Sequence, residues 1–153
     1  FPIPWLDGSS EEMARQGLQS AAADLDAFLD DRLRAEGLTP DRLVLFGFSQ
    51  GTMMALHVAP RRAAPVAGIV AFSGRLLQPE ALATEAISKP PVLLVHGDAD
   101  PMVPFADMHK AGQALTEAGF ETCGHVMKGA GHTIAPDGLS VALSFLHQRL
   151  SGA

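Results

Sequence analysis

The chain has 153 residues, 47% of them hydrophobic and 18% charged, with a formal net charge of −6. This is one domain's worth of sequence with enough apolar content for a packed core, and its acidity argues against nucleic acid or an anionic membrane surface as a main partner. Cys123 is the only cysteine, which excludes an internal disulfide and leaves stability to packing, and no apolar run approaches the ~20 residues a membrane span needs.

Ser9 and Glu12 have the spacing of a capping box and mark a helix start. Leu18, Ala22, Leu25, Leu29 and Leu33 then recur at helical period until Gly37. After the turn Thr39-Pro40-Asp41, Leu43 to Phe46 is a short continuous apolar run, expected to be a strand buried on both faces. A helix follows from about Gln50 and ends before Pro60. Ala67 to Phe72 is the second expected strand, followed by a helix near Glu80 to Ile87, and Pro91 to His96 is the third strand. A helix over Ala106 to Ala118 stops at Gly119, Thr122 to Met127 is the fourth strand, and Leu139, Ala142, Leu143, Leu146 and Leu150 mark the apolar face of a last helix. Strands alternating with helices predict a single α/β domain over 1–153, a mostly parallel sheet with helices on both faces.

Gly47-Phe48-Ser49-Gln50-Gly51 is an instance of G-x-S-x-G, placed directly after a strand and before a helix. That context is what the motif demands, since a tight turn flanked by glycines thrusts the serine up at the sheet's carboxyl edge. A serine needs a base to take its proton. Of six histidines, His57, His109 and His147 fall on helices and His96 and His125 in strands, where a solvated or satisfied ring is the plain explanation. His132 lies in the glycine-rich stretch Gly129-Ala130-Gly131-His132-Thr133 after the fourth strand, at the same sheet edge as Ser49. The orienting carboxylate is sought in His96-Gly97-Asp98-Ala99-Asp100-Pro101, after the third strand. Asp98 suits a turn-forming role and Asp100 sits further into the loop. The chain order Ser, Asp, His is that of the α/β-hydrolases. The same H-x-D-x-D cluster could offer metal ligands, but no further ligands accompany it, and neither metal nor cofactor is expected. Cys123, in strand-like surroundings, is read as structural.

The Gly47–Gly51 motif, the stretch from His96 to Pro104 and Gly131-His132 together resemble the phospholipase/carboxylesterase family, which includes acyl-protein thioesterases. Pro4-Trp5-Leu6-Asp7 is similar to that family's Trp-containing segment, and the resemblance covers essentially the whole chain. It implies an α/β-hydrolase fold and hydrolysis of carboxylic esters or thioesters by Ser49, His132 and Asp100, the second aspartate of such a loop being the catalytic one. It also implies that the Gln50 amide forms one half of an oxyanion hole. The other half belongs to a His-Gly-rich loop that, with several strands, precedes the Trp segment in family members and has no counterpart here. Thr52 stands where the family usually has a second glycine.

The expected partner is a small acyl ester or thioester. Met53, Phe72, Leu76, Leu77 and Met102 are near enough in sequence to line an acyl pocket, although Met53 and Met54 also read as helix core. A thioesterase or lysophospholipase with the same triad, and an inactive fragment lacking the upstream loop, are the rival readings. No signal peptide is visible and a cytoplasmic location is expected, but the chain opens Phe1-Pro2 without Met and reads as starting inside a longer protein. A homo-oligomer is compatible with the sequence.

Overall fold

The computed structural model describes residues 11–151, apart from the side chains of residues 11, 12 and 14. The Ser9–Glu12 capping box and the Trp5 segment therefore lie outside the described residues. The backbone divides into two compact units, Phe1–Leu38 and Thr39–Ala153.

The first unit holds helix α1, Glu11–Glu36. Its buried positions are Leu18, Leu29 and Leu33, three members of the apolar stripe. The helix ends because Gly37 adopts a φ of 66°, a left-handed conformation that glycine takes without a Cβ penalty. The amide of Leu38 then bonds the carbonyl of Leu33 at 2.9 Å, and that of Gly37 the carbonyl of Arg34 at 3.2 Å, the paired bonds of a Schellman stop.

The second unit is a four-stranded parallel sheet in the order β1-β2-β3-β4. The strands are β1 (Val44–Phe48), β2 (Gly68–Phe72), β3 (Val92–Gly97) and β4 (Thr122–Met127), and the main helices are α2 (Gln50–Val58), α3 (Leu82–Glu85), α4 (Ala106–Glu117) and α5 (Pro136–Ser151). Side chains alternate across the pleat. Ile69, Ala71, Val92 and Leu94 share one core with Leu56 of α2, Leu82 of α3 and Met108, Ala111 and Leu115 of α4. Val70, Phe72, Leu93 and Val95 share the other with Met127 and with Ala142 and Phe145 of α5. Both faces are thus covered, which is why β2 and β3 read as unbroken apolar runs. In register, Phe48 stands opposite Phe72, Phe72 opposite Val95, and Gly97 opposite Met127. The residues that follow β1, β3 and β4 therefore all emerge at one edge of the sheet.

Two expectations are corrected. β1 is not buried on both faces: Val44 and Leu45 are half-buried, and Phe46 and Phe48 are 46% and 37% exposed. It pairs only with β2 among the described residues, and an apolar run carries no record of how many neighbours a strand has. The packed face of α5 is also rotated from the leucine stripe. Gly138, Ala142 and Phe145 are buried, whereas Leu139 and Leu143 are 43% and 52% exposed. The reason is steric: Gly68 on β2 offers no side chain, so the Phe145 ring fills the space where a Cβ would stand, 2.8 Å from that position.

Candidate active site

β1 runs into α2 through a single residue, Ser49, whose φ of 56° is left-handed. A non-glycine residue there is strained by roughly 1–3 kcal/mol and persists only where its surroundings fix it. Here the Ser49 amide donates to the carbonyl of Phe72 at 2.9 Å, and its carbonyl accepts from Met53 at 3.1 Å. The buried Thr52 hydroxyl donates to the same Phe72 carbonyl at 2.7 Å, so Thr52 adds a tie between turn and sheet. Gly47 is demanded by space, because a Cβ there would lie 2.6 Å from the Thr52 amide nitrogen. Gly51 is not: nothing stands within 4 Å of its would-be Cβ. Only the first of the two flanking glycines is therefore required to avoid a Cβ clash.

Asp100 follows β3. Its side chain is fully buried, and its Oδ1 accepts from the amides of Met102 at 2.8 Å and Val103 at 2.9 Å. Burial would raise its pKa, but the bonds from Val103, His132 and Met102 outweigh that and hold the carboxyl below the ordinary aspartate value. Asp98 points elsewhere, accepting the Gly129 amide at 2.8 Å. It ties the β3 loop to the β4 loop. The two loops are further joined by Ala99 N–H to the Ala130 carbonyl at 3.0 Å, and Gly97 must be a glycine because a Cβ would lie 2.3 Å from the Ala130 oxygen.

His132, carried by the β4 loop, closes the arrangement. Its Nδ1 is 2.8 Å from Asp100 Oδ2 and its Nε2 is 3.1 Å from Ser49 Oγ. The ionised carboxylate can only accept, so Nδ1 carries the hydrogen, and the bare Nε2 accepts from the serine hydroxyl. The Phe48 ring lies against the imidazole, with centroids 4.8 Å apart. Sequence alone gave Phe48 no role, because its alternation along β1 says nothing about a loop some eighty residues on. Gln50 opens α2, where the first amides of a helix have no intrahelical acceptor.

The five pocket candidates separate. Phe72 has no accessible surface and belongs to the α5-side core, so it lines no pocket. Met53 and Leu76 are buried, Leu76 in the α2-side core. Leu77 is half-buried and Met102 is 69% exposed, and these two keep surface free at the carboxyl edge. Buriedness follows from pairing partners far along the chain, which nearness in sequence cannot supply. Among the described residues no group of three or more His, Cys, Asp or Glu could hold a metal ion, and no helix is long and apolar enough to cross a membrane.

Residues 1–150 match the profile of the Phospholipase/Carboxylesterase family. The chain is 32% identical over 159 aligned residues to an acyl-protein thioesterase 1 of Neurospora crassa, covering 98% of this chain and 64% of that protein. It is 31% identical to a probable carboxylesterase of Oryza sativa, covering 99% and 57% respectively. Among solved structures, esterase PE8 superposes with a TM-score of 0.87 at 44% identity, over 94% of this chain and 67% of that one. SOBER1 of Arabidopsis thaliana superposes with a TM-score of 0.81 at 27% identity, over 88% and 65%. The chain thus spans between 57% and 67% of the length of these proteins, and its fold is that of the α/β-hydrolases.

Proposed function

The chain belongs to the phospholipase/carboxylesterase family, and on that footing we propose that it carries the catalytic triad of a serine hydrolase that cleaves carboxylic esters through an acyl-enzyme. The observation that carries this reading is the unbroken hydrogen-bond chain Ser49 Oγ, His132, Asp100, at 3.1 and 2.8 Å. Ser49 Oγ attacks the acyl carbonyl while His132 Nε2 takes its proton. Asp100 holds the Nδ1–H tautomer and stabilises the imidazolium that forms. The Gln50 amide donates to the developing oxyanion, supported by the positive end of α2. His132 then protonates the leaving alcohol, and a water molecule, deprotonated by the same imidazole, clears the acyl group from Ser49. Leu77 and Met102 are the pocket candidates left to meet the acyl chain.

A fluorophosphonate labels only an activated serine, so the protein should be labelled at Ser49 and the Ser49→Ala variant should not. Ester turnover should fall by roughly 10⁶ in that variant, as for a serine protease stripped of its nucleophile. Turnover above ~1% in Ser49→Ala would overturn the assignment, since loss of a triad member costs far more than that. A thioester substrate is the second reading, favoured by the similarity to a protein named acyl-protein thioesterase. A chain-length series of p-nitrophenyl esters run beside an acyl thioester separates the two.

A further inference from the structure

His96 is the one ionisable residue of β3, a strand buried along its whole length, and its ring is only 2% exposed. A polar ring in such a place is destabilising if its hydrogen bonds go unmade, so its partners indicate what it is for. Its Nε2 lies 2.9 Å from the carbonyl oxygen of Val103. A carbonyl can only accept, so Nε2 carries the hydrogen and donates. The amide of that same Val103 donates to Asp100 Oδ1 at 2.9 Å. The Nε2 of His96 is also 3.5 Å from Asp100 Oδ2, the oxygen that accepts from His132. The edge-on contact with Phe105, at a centroid distance of 6.0 Å, fixes the plane in which the ring donates.

We propose that His96 is the positioning residue of the acid: its Nε2–H pins the Val103 carbonyl to β3 and so holds the Asp100 carboxylate toward His132. This rests on the triad reading above. The loop from Asp100 to Val103 is closed on itself by the bonds to Met102 and Val103, but those bonds would survive a swing of the whole loop. The Asp100 amide reaches the Gly97 carbonyl of β3 at 3.3 Å, and the His96 bond is the second tie, fastening the far end of the loop to the rigid strand. An apolar residue at this position would fill the core and leave the loop free to tilt, and a displacement of about 1 Å can cost ~10² in rate.

The experiment compares His96→Leu with His96→Gln in the natural full-length protein. Leucine keeps apolar bulk and removes the donor, whereas glutamine places an amide N–H near the position of Nε2. His96→Leu should lower kcat by roughly 10–10² with KM nearly unchanged. It should also move the acidic limb of the kcat/KM profile to lower pH, because a loosened Asp100 stabilises the His132 imidazolium less. His96→Gln should recover most of the rate and the limb. A kcat within twofold of wild type in His96→Leu, with an unmoved limb, would overturn the proposal. So would a glutamine variant no better than leucine, which would reduce the role of His96 to packing. Should His96→Leu fail to fold, His96→Gln against the shorter His96→Asn decides: a fast glutamine and slow asparagine variant supports the proposal, and equal rates overturn it. Fluorophosphonate labelling of the wild type is the control. If wild type is not labelled, the triad reading fails; if it is labelled and His96→Leu reacts equally fast, only the role of His96 fails.

Discussion

β1 and β3 each deliver one end of the hydrogen-bond chain, and they do so by different physical means. β3 lies inside the sheet, buried at every residue, and Asp100, which follows it, has a buried side chain held by backbone amides. β1 pairs on one side only among the described residues and exposes two phenylalanines. Its serine is held by a strained turn fastened to β2 through the Phe72 carbonyl. His132 belongs with β3, because Asp98, Ala99 and Gly97 clasp the loop that carries it. Asp100 and His132, the proposed acid and base, therefore form one body and Ser49, the proposed nucleophile, another, and the 3.1 Å contact between His132 and Ser49 is the seam.

The comparison can be broken first at the acid. Asp100→Asn should lower kcat by about 10⁴ through the wrong imidazole tautomer, as in a serine protease. Asp98→Asn, which touches only the Gly129 amide, should lose far less activity. Turnover assays on the two variants check this, and a larger loss from Asp98→Asn would reverse the assignment. Next, Gly97→Ala should force the base loop away from β3 and cost ~10² in kcat by displacing His132. Gly51→Ala, on the nucleophile's side, meets open space and should change kcat by less than about threefold, within the ±0.5 kcal/mol usual for substitutions away from packed features. Similar kcat losses in the two glycine variants would refute the idea that acid and base form the tightly fitted body.

The last effect concerns stability in acid rather than rate. His57 on α2 is buried beside Arg61, and burial first, then that guanidinium, pull its pKa from 6.5 down to about 4. A base with a lowered folded pKa adds its stability above the unfolded value, and loses it as pH falls from 6.5 towards 4. The loss amounts to roughly 3 kcal/mol at the acid end. Asp100, held below the ordinary aspartate value, stays ionised across that window. Hydrogen exchange at pH 4.5 against pH 7 should thus show α2 loosening before β3. His57→Gln should flatten the change in denaturant midpoint between the two pH values.

The amino-acid sequence makes the four strands and the loops bearing Ser49, Asp100 and His132 legible, because each strand is a short apolar run and each loop is marked by glycine. What it hides depends on distant neighbours. Leu43–Phe46 and Pro91–His96 look alike, yet among the described residues one strand has one partner and the other has two. The α5 stripe of leucines is displaced by one position because Phe145 meets the missing side chain of Gly68. His96 passes for an ordinary strand histidine until the Val103 carbonyl is seen beside it.

The strands pair in the order they are made, and this bears on how the site is assembled. The Asp100–His132 bond joins residues 32 apart in the chain, and the Ser49–His132 bond joins residues 83 apart. Closing the longer loop costs about 1 kcal/mol more in chain entropy, a small difference. The larger one is topological. A chain that has paired only β3 and β4 already holds Asp100 and His132 together, whereas Ser49 meets them only when β1 and β2 have docked as well. During refolding, reactivity of Ser49 toward a fluorophosphonate should therefore appear last and report the pairing of all four strands β1 to β4.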